Sequence, residues 1–173
     1  MKWKGIIIVF MCVIIAIVTA LLGGKETSGK VYDYHVFKQN AVECLAKNIY
    51  FEARNESLAG RMAVGQSTLN RVDSPHFPGN ICDVVYQGIK HPNGLPKKNK
   101  CQYSWWCDGL PDTINNHNSW EESLELARYL TSQKDFIIDI TEGAIFYHAT
   151  YVNPTWAKSF RKTARIDTHI FYR

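Results

Sequence analysis

The stretch NIYFEARNES, residues 48–57, holds two carboxylates, Glu52 and Glu56, where a helix-periodic run of apolar residues ends. The apolar positions of that run are Val42, Leu45, Ala46, Ile49 and Ala53. Their spacing puts them on one face, so the sequence predicts a helix over residues 37–54 with Glu52 at the edge of the buried stripe.

The chain is predicted to turn sharply after this helix. Asn55 tolerates the left-handed conformation that ends helices, and Ser57 can cap a following helix. A second set of apolar positions at helical spacing follows almost at once: Leu58, Met62, Gly65, Leu69 and Val72. The sequence therefore predicts two helices that meet at a tight corner, with Glu52 carried on it.

Two interpretations of Glu52 are open on the residues alone. It can be an ordinary part of the packing beside Tyr50 and Phe51. A carboxyl held against such apolar surface can also have a raised pKa, which is how proteins keep an acid protonated near neutral pH for catalysis. Glu56, one helical turn on, is either a second catalytic carboxylate or a capping and supporting residue.

Composition excludes several classes of protein. The 173 residues are 46% apolar and 21% charged, which suits one domain with a real core and argues against disorder. The formal net charge is +4, and without Lys2 and Lys4 there are 18 basic against 16 acidic residues. Nucleic-acid binders usually carry a concentrated basic face, so we expect no nucleic-acid partner.

The N-terminal part of the sequence is apolar. Residues 6–22 are uncharged, and with the flanking glycines the run is long enough for a ~30 Å hydrocarbon core at ~1.5 Å per residue. Signal peptides usually have a shorter apolar region, so an uncleaved signal-anchor is favoured over a cleaved signal peptide. The predicted organisation is a transmembrane segment at residues 1–24, a linker at 25–36 and one exported domain at 37–173.

Export affects the interpretation of the cysteines. Cys12 lies inside the apolar segment, which leaves four others in an oxidising compartment: Cys44, Cys82, Cys101 and Cys107. These four are candidates for disulfides, with three possible pairings between which the sequence does not choose. Their spacing is unlike that of a zinc site, and nothing marks any one of them as a nucleophile.

The sequence pattern changes from helical to strand-like along the chain. Ser119 with Glu122 predicts a capping box at the start of a third helix. Residues 144–152 and 166–172 alternate like half-buried strands, as do residues 135–140, so we predict an α+β domain. The segment 88–118 has no clear periodicity, and structureless segments this long are often functional.

Six blocks resemble, in order and spacing, the SleB/CwlJ-type cell wall hydrolases. They are IYFEARNES, AGRMAVGQSTLNRV, FPGNICDVVYQG, CQYSWWCDG, FYHATYVNPTWAKS and HIFYR. The resemblance runs from Glu43 to Tyr172 and implies a small lysozyme-like fold, in which a helical lobe and a short antiparallel sheet flank a glycan groove. It also implies that Glu52 is the catalytic acid. Asn55 and Ser57 stand where the family usually has Gly and Pro, and neither change removes chemistry.

The resemblance and the residues together give a functional hypothesis. We expect a monomeric peptidoglycan-degrading enzyme that cleaves between N-acetylmuramic acid and N-acetylglucosamine as a lytic transglycosylase, with Glu52 as acid and base. We expect no cofactor and no metal, since His148 and His169 lack the spacing of a metal motif. The expected partners are peptidoglycan and, through the N-terminal helix, the membrane of a bacterial or phage-infected cell, with a phage endolysin slightly favoured.

Aromatic and polar residues provide candidate contacts to the sugars. These are Gln102, Tyr103, Ser104, Trp105, Trp106, Tyr147, His148 and Trp156. Large aromatics also dominate cores, so core packing is the alternative for each ring. Because Trp105 and Trp106 are adjacent, we expect one of them to be exposed and to stack on a sugar.

Other classes of function remain open on the sequence. One is a bacterial envelope-remodelling hydrolase that uses a second carboxylate, and another is a peptidoglycan-binding domain without turnover. A Glu52 variant with unchanged lysis would favour the binding domain. A third is a peptide-cleaving enzyme that uses a cysteine or the histidines, which insensitivity to thiol reagents and chelators would exclude.

Overall fold

The computed structural model describes the backbone of residues 28–173 and the side chains from Asn40 onward. The predicted signal-anchor at residues 1–24 lies outside the described residues. Within residues 28–173, no helix combines the length and apolar character that crossing a bilayer requires. Residues Phe37–Arg173 form one compact unit.

Four helices and five strands are present among the described residues. The helices are α1 Ser28–Ala53, α2 Leu58–Asp73, the short α3 Ile81–Val85 and α4 His117–Ser132. The strands are β1 Gly88–Lys90, β2 Pro96–Cys101, β3 Phe146–Ala149, β4 Lys162–Ile166 and β5 His169–Tyr172. The prediction of an α+β domain is confirmed.

Helix α1 begins at Ser28, inside the predicted linker, and ends one residue before the predicted boundary. All five positions of its predicted apolar stripe, from Val42 to Ala53, are buried. Among the described residues, positive φ outside glycine occurs only at Asn99, Glu142 and Asp167. Asn55 therefore ends the helix without the left-handed conformation that the sequence predicted.

Helix α2 begins where predicted because Ser57 caps it, its side chain accepting a hydrogen bond from the Gly60 amide. Residues 63–69 are all buried, so α2 is a central helix covered on several sides rather than one with a single apolar stripe. Leu58, which the pattern assigned to that stripe, is 61% exposed.

Helix α4 starts two residues before the predicted cap. Asn116 is the N-cap, and its side-chain oxygen accepts from the Ser119 amide at 3.0 Å. The predicted capping box of Ser119 and Glu122 is wrong because Asn116, an equally good cap, occupies the preceding turn. Glu122 instead forms an ion pair with Arg61.

The strands form two antiparallel sheets. β1 pairs with β2, and this hairpin occupies part of the segment 88–118 that was predicted to lack regular structure, as does a 3₁₀ turn at Ser104–Cys107. The other sheet has the order β3-β5-β4, with β5 in the centre.

Residues 135–140 form turns and irregular backbone rather than the predicted strand. The Gln66 side chain donates to the Ile138 carbonyl at 2.8 Å and accepts from the Ile140 amide at 3.0 Å. A buried side chain thus satisfies the backbone groups that a neighbouring strand would otherwise bind.

The core positions the sheet against the corner between α1 and α2. A helical cluster joins α1, α2 and α4: Val42, Leu45, Ala46, Ile49, Leu69, Leu126, Ala127 and Leu130. A second cluster joins the end of α1 and α2 to the sheet: Ala53, Ala63, Val64, Ala144 and Phe171. Strand β3 consequently lies beside the last turn of α1, which carries Glu52.

Two disulfides are formed by the four predicted cysteines. Cys44–Cys82 joins α1 to α3, and Cys101–Cys107 joins the end of β2 to the 3₁₀ turn. The Cys101–Cys107 bond closes the segment 101–107, which forms one wall of the groove that holds Glu52.

Candidate active site

Glu52 lies on a groove of about 560 Å³ between the helical part and the three-stranded sheet. The end of α1, the last turn of α2, the segment after β2, and strands β3 and β5 all contribute to it. Its lining includes Phe51, Glu52, Arg71, Gln102, Tyr103, Ser104, Trp105, Asp108, Tyr147, His148, Tyr151 and His169. Acidic, basic and aromatic side chains therefore converge on one concave surface.

The Glu52 carboxylate is held by the sheet. Tyr147, on β3, donates its hydroxyl hydrogen to Glu52 Oε2 at 3.1 Å. Burial raises the pKa of Glu52, while the Tyr147 hydrogen bond and the positive charge of Arg71 act in the opposite direction. Burial, together with the Glu52 charge, raises the pKa of Tyr147 well above its ordinary value, so this residue remains a hydrogen-bond donor. A carboxyl in this setting retains its proton to higher pH than a solvated one.

Arg71 is a buried cation beneath the groove, only 4% exposed. Its Nε donates to the Ile145 carbonyl at 2.7 Å, and its guanidinium lies over the Tyr103 ring at 4.8 Å from the centroid. Nη1 is buried and has no hydrogen-bond partner among the described residues. The guanidinium thus keeps part of its charge uncompensated, which favours an ionised carboxylate nearby.

A buried polar network fixes the aromatic wall of the groove. Trp105 donates its indole N–H to Asn48 Oδ1 at 3.0 Å, and Asn48 donates to Thr68 Oγ1 at 3.0 Å. Thr68 Oγ1 also lies 3.0 Å from the Tyr103 hydroxyl. Phe51 stacks on Trp105, with ring centroids 4.7 Å apart. These contacts fix the side-chain orientations of Trp105 and Tyr103.

The two histidines on the groove differ in their partners. His148 Nδ1 donates to the Ala149 carbonyl at 2.9 Å, and its Nε2 shares a hydrogen bond of 2.9 Å with the Tyr172 hydroxyl. His169 is buried, its Nδ1 has no partner among the described residues, and burial lowers its pKa. No group of three His, Cys, Asp or Glu side chains that could hold a metal ion occurs in the described part of the chain.

Glu56 faces away from the groove. Its carboxylate accepts from the Thr168 amide at 3.2 Å and from the Thr168 hydroxyl at 2.6 Å. Asp167, at φ 48°, accepts from the Ser57 amide at 2.9 Å and from the Ser57 hydroxyl at 2.6 Å. We call these four residues the corner clamp, because they fasten the α1–α2 corner to the β4–β5 turn.

The structure brings most of the predicted sugar-contacting residues to the groove but not all of them. Six line it: Gln102, Tyr103, Ser104, Trp105, Tyr147 and His148. Trp106 does not, and it packs against Tyr86 with ring centroids 4.6 Å apart. Trp156 lies outside too, among His148, Phe146, Phe160 and Tyr172. Trp105 is buried against Phe51 and Trp106 is half-buried against Tyr86, so the prediction that one tryptophan of the pair is exposed is wrong.

Sequence reasoning missed Arg71 and Asp108. Nothing in the helical pattern distinguishes Arg71 from an exposed arginine, since its burial results from the sheet and the 101–107 segment closing over α2. Asp108 is the other carboxylate on the groove, with Oδ1 accepting from the Leu110 amide at 2.7 Å. The sequence signal that could have identified Asp108 was its position directly after the block CQYSWWC.

Comparison with known proteins gives a consistent family assignment. The family model described as Cell Wall Hydrolase matches residues 55–172, a region that begins three residues after Glu52. Spore cortex-lytic enzymes of Halalkalibacterium halodurans and Bacillus subtilis are each 37% identical over 53 residues, 31% of this chain. That match spans 16% and 17% of the two relatives, about a sixth of their length.

Two solved structures share the fold. The catalytic domain of the Bacillus cereus SleB protein has a TM-score of 0.53 at 24% identity, covering 78% of this chain and 91% of that one. The catalytic domain of the germination-specific lytic transglycosylase SleB from Bacillus anthracis has a TM-score of 0.55 at 23% identity, covering 78% and 95%. The resemblance inferred from the six sequence blocks is confirmed.

Proposed function

The chain belongs to the cell wall hydrolase family, and we propose that it cleaves the glycan strand of peptidoglycan between N-acetylmuramic acid and N-acetylglucosamine as a lytic transglycosylase. The observation that carries the proposal is Glu52, a partly buried carboxyl with a raised pKa that lines the groove beside Tyr147. The names of the cortex-lytic relatives, one of them a lytic transglycosylase, support the reaction class.

In the first step Glu52 acts as a general acid. It gives its proton to the glycosidic oxygen, the bond from that oxygen to C1 of the muramic acid breaks, and positive charge develops at C1. Glu52 is then a carboxylate, which the Tyr147 hydrogen bond and the Arg71 charge stabilise. Burial keeps Glu52 protonated before the reaction. Tyr147 and Arg71 stabilise the carboxylate that remains when the proton leaves.

In the second step the same carboxylate acts as a base. It removes the hydrogen of the 6-hydroxyl of the muramic acid, whose oxygen bonds to C1 and closes a 1,6-anhydro ring. Glu52 regains its proton, and no water is consumed. A single carboxyl is sufficient for both steps, which suits a groove from which Glu56 is directed away.

Asp108 supports a second candidate function, ordinary hydrolysis. It is the other carboxylate that lines the groove, and a glycosidase that inverts or retains configuration uses two such groups. In that case Asp108 would activate water or attack C1, and the product would carry a reducing end.

The test is digestion of peptidoglycan in ¹⁸O-water, with the products analysed by mass spectrometry. Unlabelled anhydro ends support the single-carboxylate reaction, whereas labelled, reducible ends contradict it. Glu52→Gln should lower turnover by ~10²–10⁴ while glycan binding is retained. Asp108→Asn is the matched control in the same groove, and an equal loss in it would favour the two-carboxylate mechanism.

We further propose that the enzyme acts as a monomer on the exported side of the envelope of a bacterial or phage-infected cell, anchored by its N-terminal segment. Two disulfides suit an oxidising compartment. Cell fractionation should recover the intact chain with membranes. Recovery of only a form that starts near Lys25 would contradict the anchor, and lysis timed to phage release would support an endolysin.

A further inference from the structure

The β1–β2 hairpin, residues 88–101, concentrates positive charge. It contains Lys90, Lys97, Lys98 and Lys100 and no aspartate or glutamate, whereas the rest of residues 37–173 has 12 basic and 14 acidic side chains. All four lysines are exposed. Within the described residues none of them forms an ion pair. The charge of the hairpin is therefore available to a partner outside the chain.

The hairpin holds these lysines on a defined scaffold. Its two strands pair in antiparallel fashion, and the His91 amide donates to the Leu95 carbonyl at 2.8 Å across the turn. At its base, the Cys101–Cys107 disulfide joins the end of β2 to the 3₁₀ turn. The position of the lysine-bearing strand relative to the groove wall is therefore fixed by covalent and backbone bonds.

The base of the hairpin belongs to the wall of the groove. Cys101, the last residue of β2, and Gln102 both line the groove. Lys98 lies against Gly109, since its Cε and Nζ are each 3.3 Å from the point where a Cβ on Gly109 would stand. Gly109 directly follows Asp108, another lining residue. A ligand that extends out of the groove on this side therefore meets the lysines of β2.

The charge and the position of the hairpin restrict this ligand. In peptidoglycan, stem peptides branch from the muramic acids of the strand and carry free carboxylates. From Cys101 back to Pro96, β2 spans about 17 Å at ~3.3 Å per residue. An extended stem tetrapeptide spans up to ~14 Å. Its carboxylates therefore reach Lys97, Lys98 and Lys100 while its sugar lies in the groove.

We propose that the lysines of the β1–β2 hairpin bind the carboxylates of a stem peptide whose sugar lies in the groove. The identity of the ligand as a peptidoglycan strand rests on the proposed function. An anionic membrane is the other surface that such lysines attract, together with the exposed Ile89 and Leu95 of the same hairpin. A membrane does not account for the position of Lys98 beside the groove, so the stem peptide is the favoured partner.

The test is calorimetric titration of the full chain carrying Glu52→Gln, in neutral detergent. The ligands are soluble strand fragments with stem peptides and the same fragments after their carboxylates are converted to amides. At low salt the native fragments should bind about tenfold more tightly, the sum of three exposed ion pairs of ordinary strength. Lys97→Gln/Lys98→Gln/Lys100→Gln should abolish this preference. Added salt should reduce it, because exposed charges are screened.

Two control variants separate charge at the hairpin from other effects. Lys→Arg at the same three positions keeps the charge and should keep the preference for native fragments. Arg128→Gln/Lys158→Gln/Lys162→Gln removes three exposed charges outside the hairpin and should keep it as well. Loss of the preference in the hairpin glutamine variant alone supports the proposal.

The inference is wrong if native and amidated fragments bind equally, if the hairpin glutamine variant retains the preference, or if the control variant outside the hairpin loses as much. It is also wrong if the hairpin lysines confer a preference for phosphatidylglycerol over phosphatidylcholine vesicles and none for stem carboxylates. A hairpin-dependent preference combined with undiminished lysis by Glu52→Gln would overturn the proposed reaction and leave the stem-peptide contact standing. Anhydro products without that preference would do the reverse.

Discussion

Tyr147 donates its hydroxyl hydrogen to Glu52 across 3.1 Å and so joins the central part of β3 to the last turn of α1. The two residues are 95 positions apart in the chain. This contact stabilises the ionised form of a carboxyl whose burial favours the protonated form.

Tyr147→Phe should shift the activity profile to higher pH. Removal of the donor raises the pKa of Glu52 further, and a general acid is active below its pKa, so the alkaline limb moves upward. The rate at the optimum should fall, since the carboxylate formed in the first step loses a hydrogen bond. The measurement is kcat/KM against pH, with Tyr151→Phe, another phenol of the groove, as the control that should leave the alkaline limb in place.

Glu52→Gln should be more stable than the parent at neutral pH. Because burial raises the pKa of Glu52, the folded state holds its proton where the unfolded chain has lost it, and the free energy of unfolding falls as pH rises through that window. Glutamine has no proton to lose. Urea unfolding at several pH values should show a gain at pH 7 that disappears below about pH 4, where the unfolded carboxyl is also protonated. A constant difference at all pH values would contradict this account.

Glu56→Ala should affect stability more than chemistry. It removes both hydrogen bonds of the carboxylate to Thr168, and we expect about 1 kcal/mol of lost stability. Activity per folded molecule should fall by less than about tenfold, compared with ~10²–10⁴ for Glu52→Gln. Thr168→Val and the Glu56→Ala/Thr168→Val double variant complete a double-mutant cycle. Because the two side chains contact each other, the loss of stability in the double variant should be smaller than the sum of the two single losses.

Gly65→Ala should destabilise the protein, although alanine is the better helix former by about 1 kcal/mol. A Cβ at this position would lie 2.4 Å from Leu130 Cδ1 and 3.1 Å from Ile49 Cδ1, both on fully buried side chains. We expect a net loss of about 1–3 kcal/mol from overpacking, measured by urea unfolding. Gly79→Ala, where a Cβ meets nothing within 4 Å, is the matched control.

The sequence predicted those features that depend on local pattern. The apolar face of α1, the corner and the Ser57 cap follow from spacing within a few residues. The strand predicted at residues 135–140 failed because Gln66, about 70 positions away, binds its backbone groups. Ser119 failed as a cap because Asn116 offered the same chemistry one turn earlier.

The composition of the groove was less accessible to sequence reasoning. Glu52 was predicted as the catalytic acid from its aromatic neighbours and the family resemblance, and that role stays a prediction. The Tyr147 hydrogen bond and the nearby Arg71 charge arise from tertiary packing, which the sequence pattern does not give. Trp105 and Trp106 look equivalent in the sequence, yet Trp105 lines the groove and Trp106 does not. Their tertiary partners separate them: Trp105 donates to Asn48, and Trp106 packs against Tyr86.

The corner clamp has a kinetic consequence. Its hydrogen bonds join residues 110 and 112 positions apart, so the loop between them must close before the sheet can settle against the α1–α2 corner. Contacts of such high sequence separation slow folding, because the entropy of closing the loop is lost before the contact is gained. Until the sheet packs against that corner, Tyr147 does not reach Glu52, and the carboxyl lacks the burial that raises its pKa. A folding intermediate with its helices in place but the sheet not yet packed on the corner would therefore lack the proposed acid, and any activity that depends on Glu52 should appear only when the sheet packs.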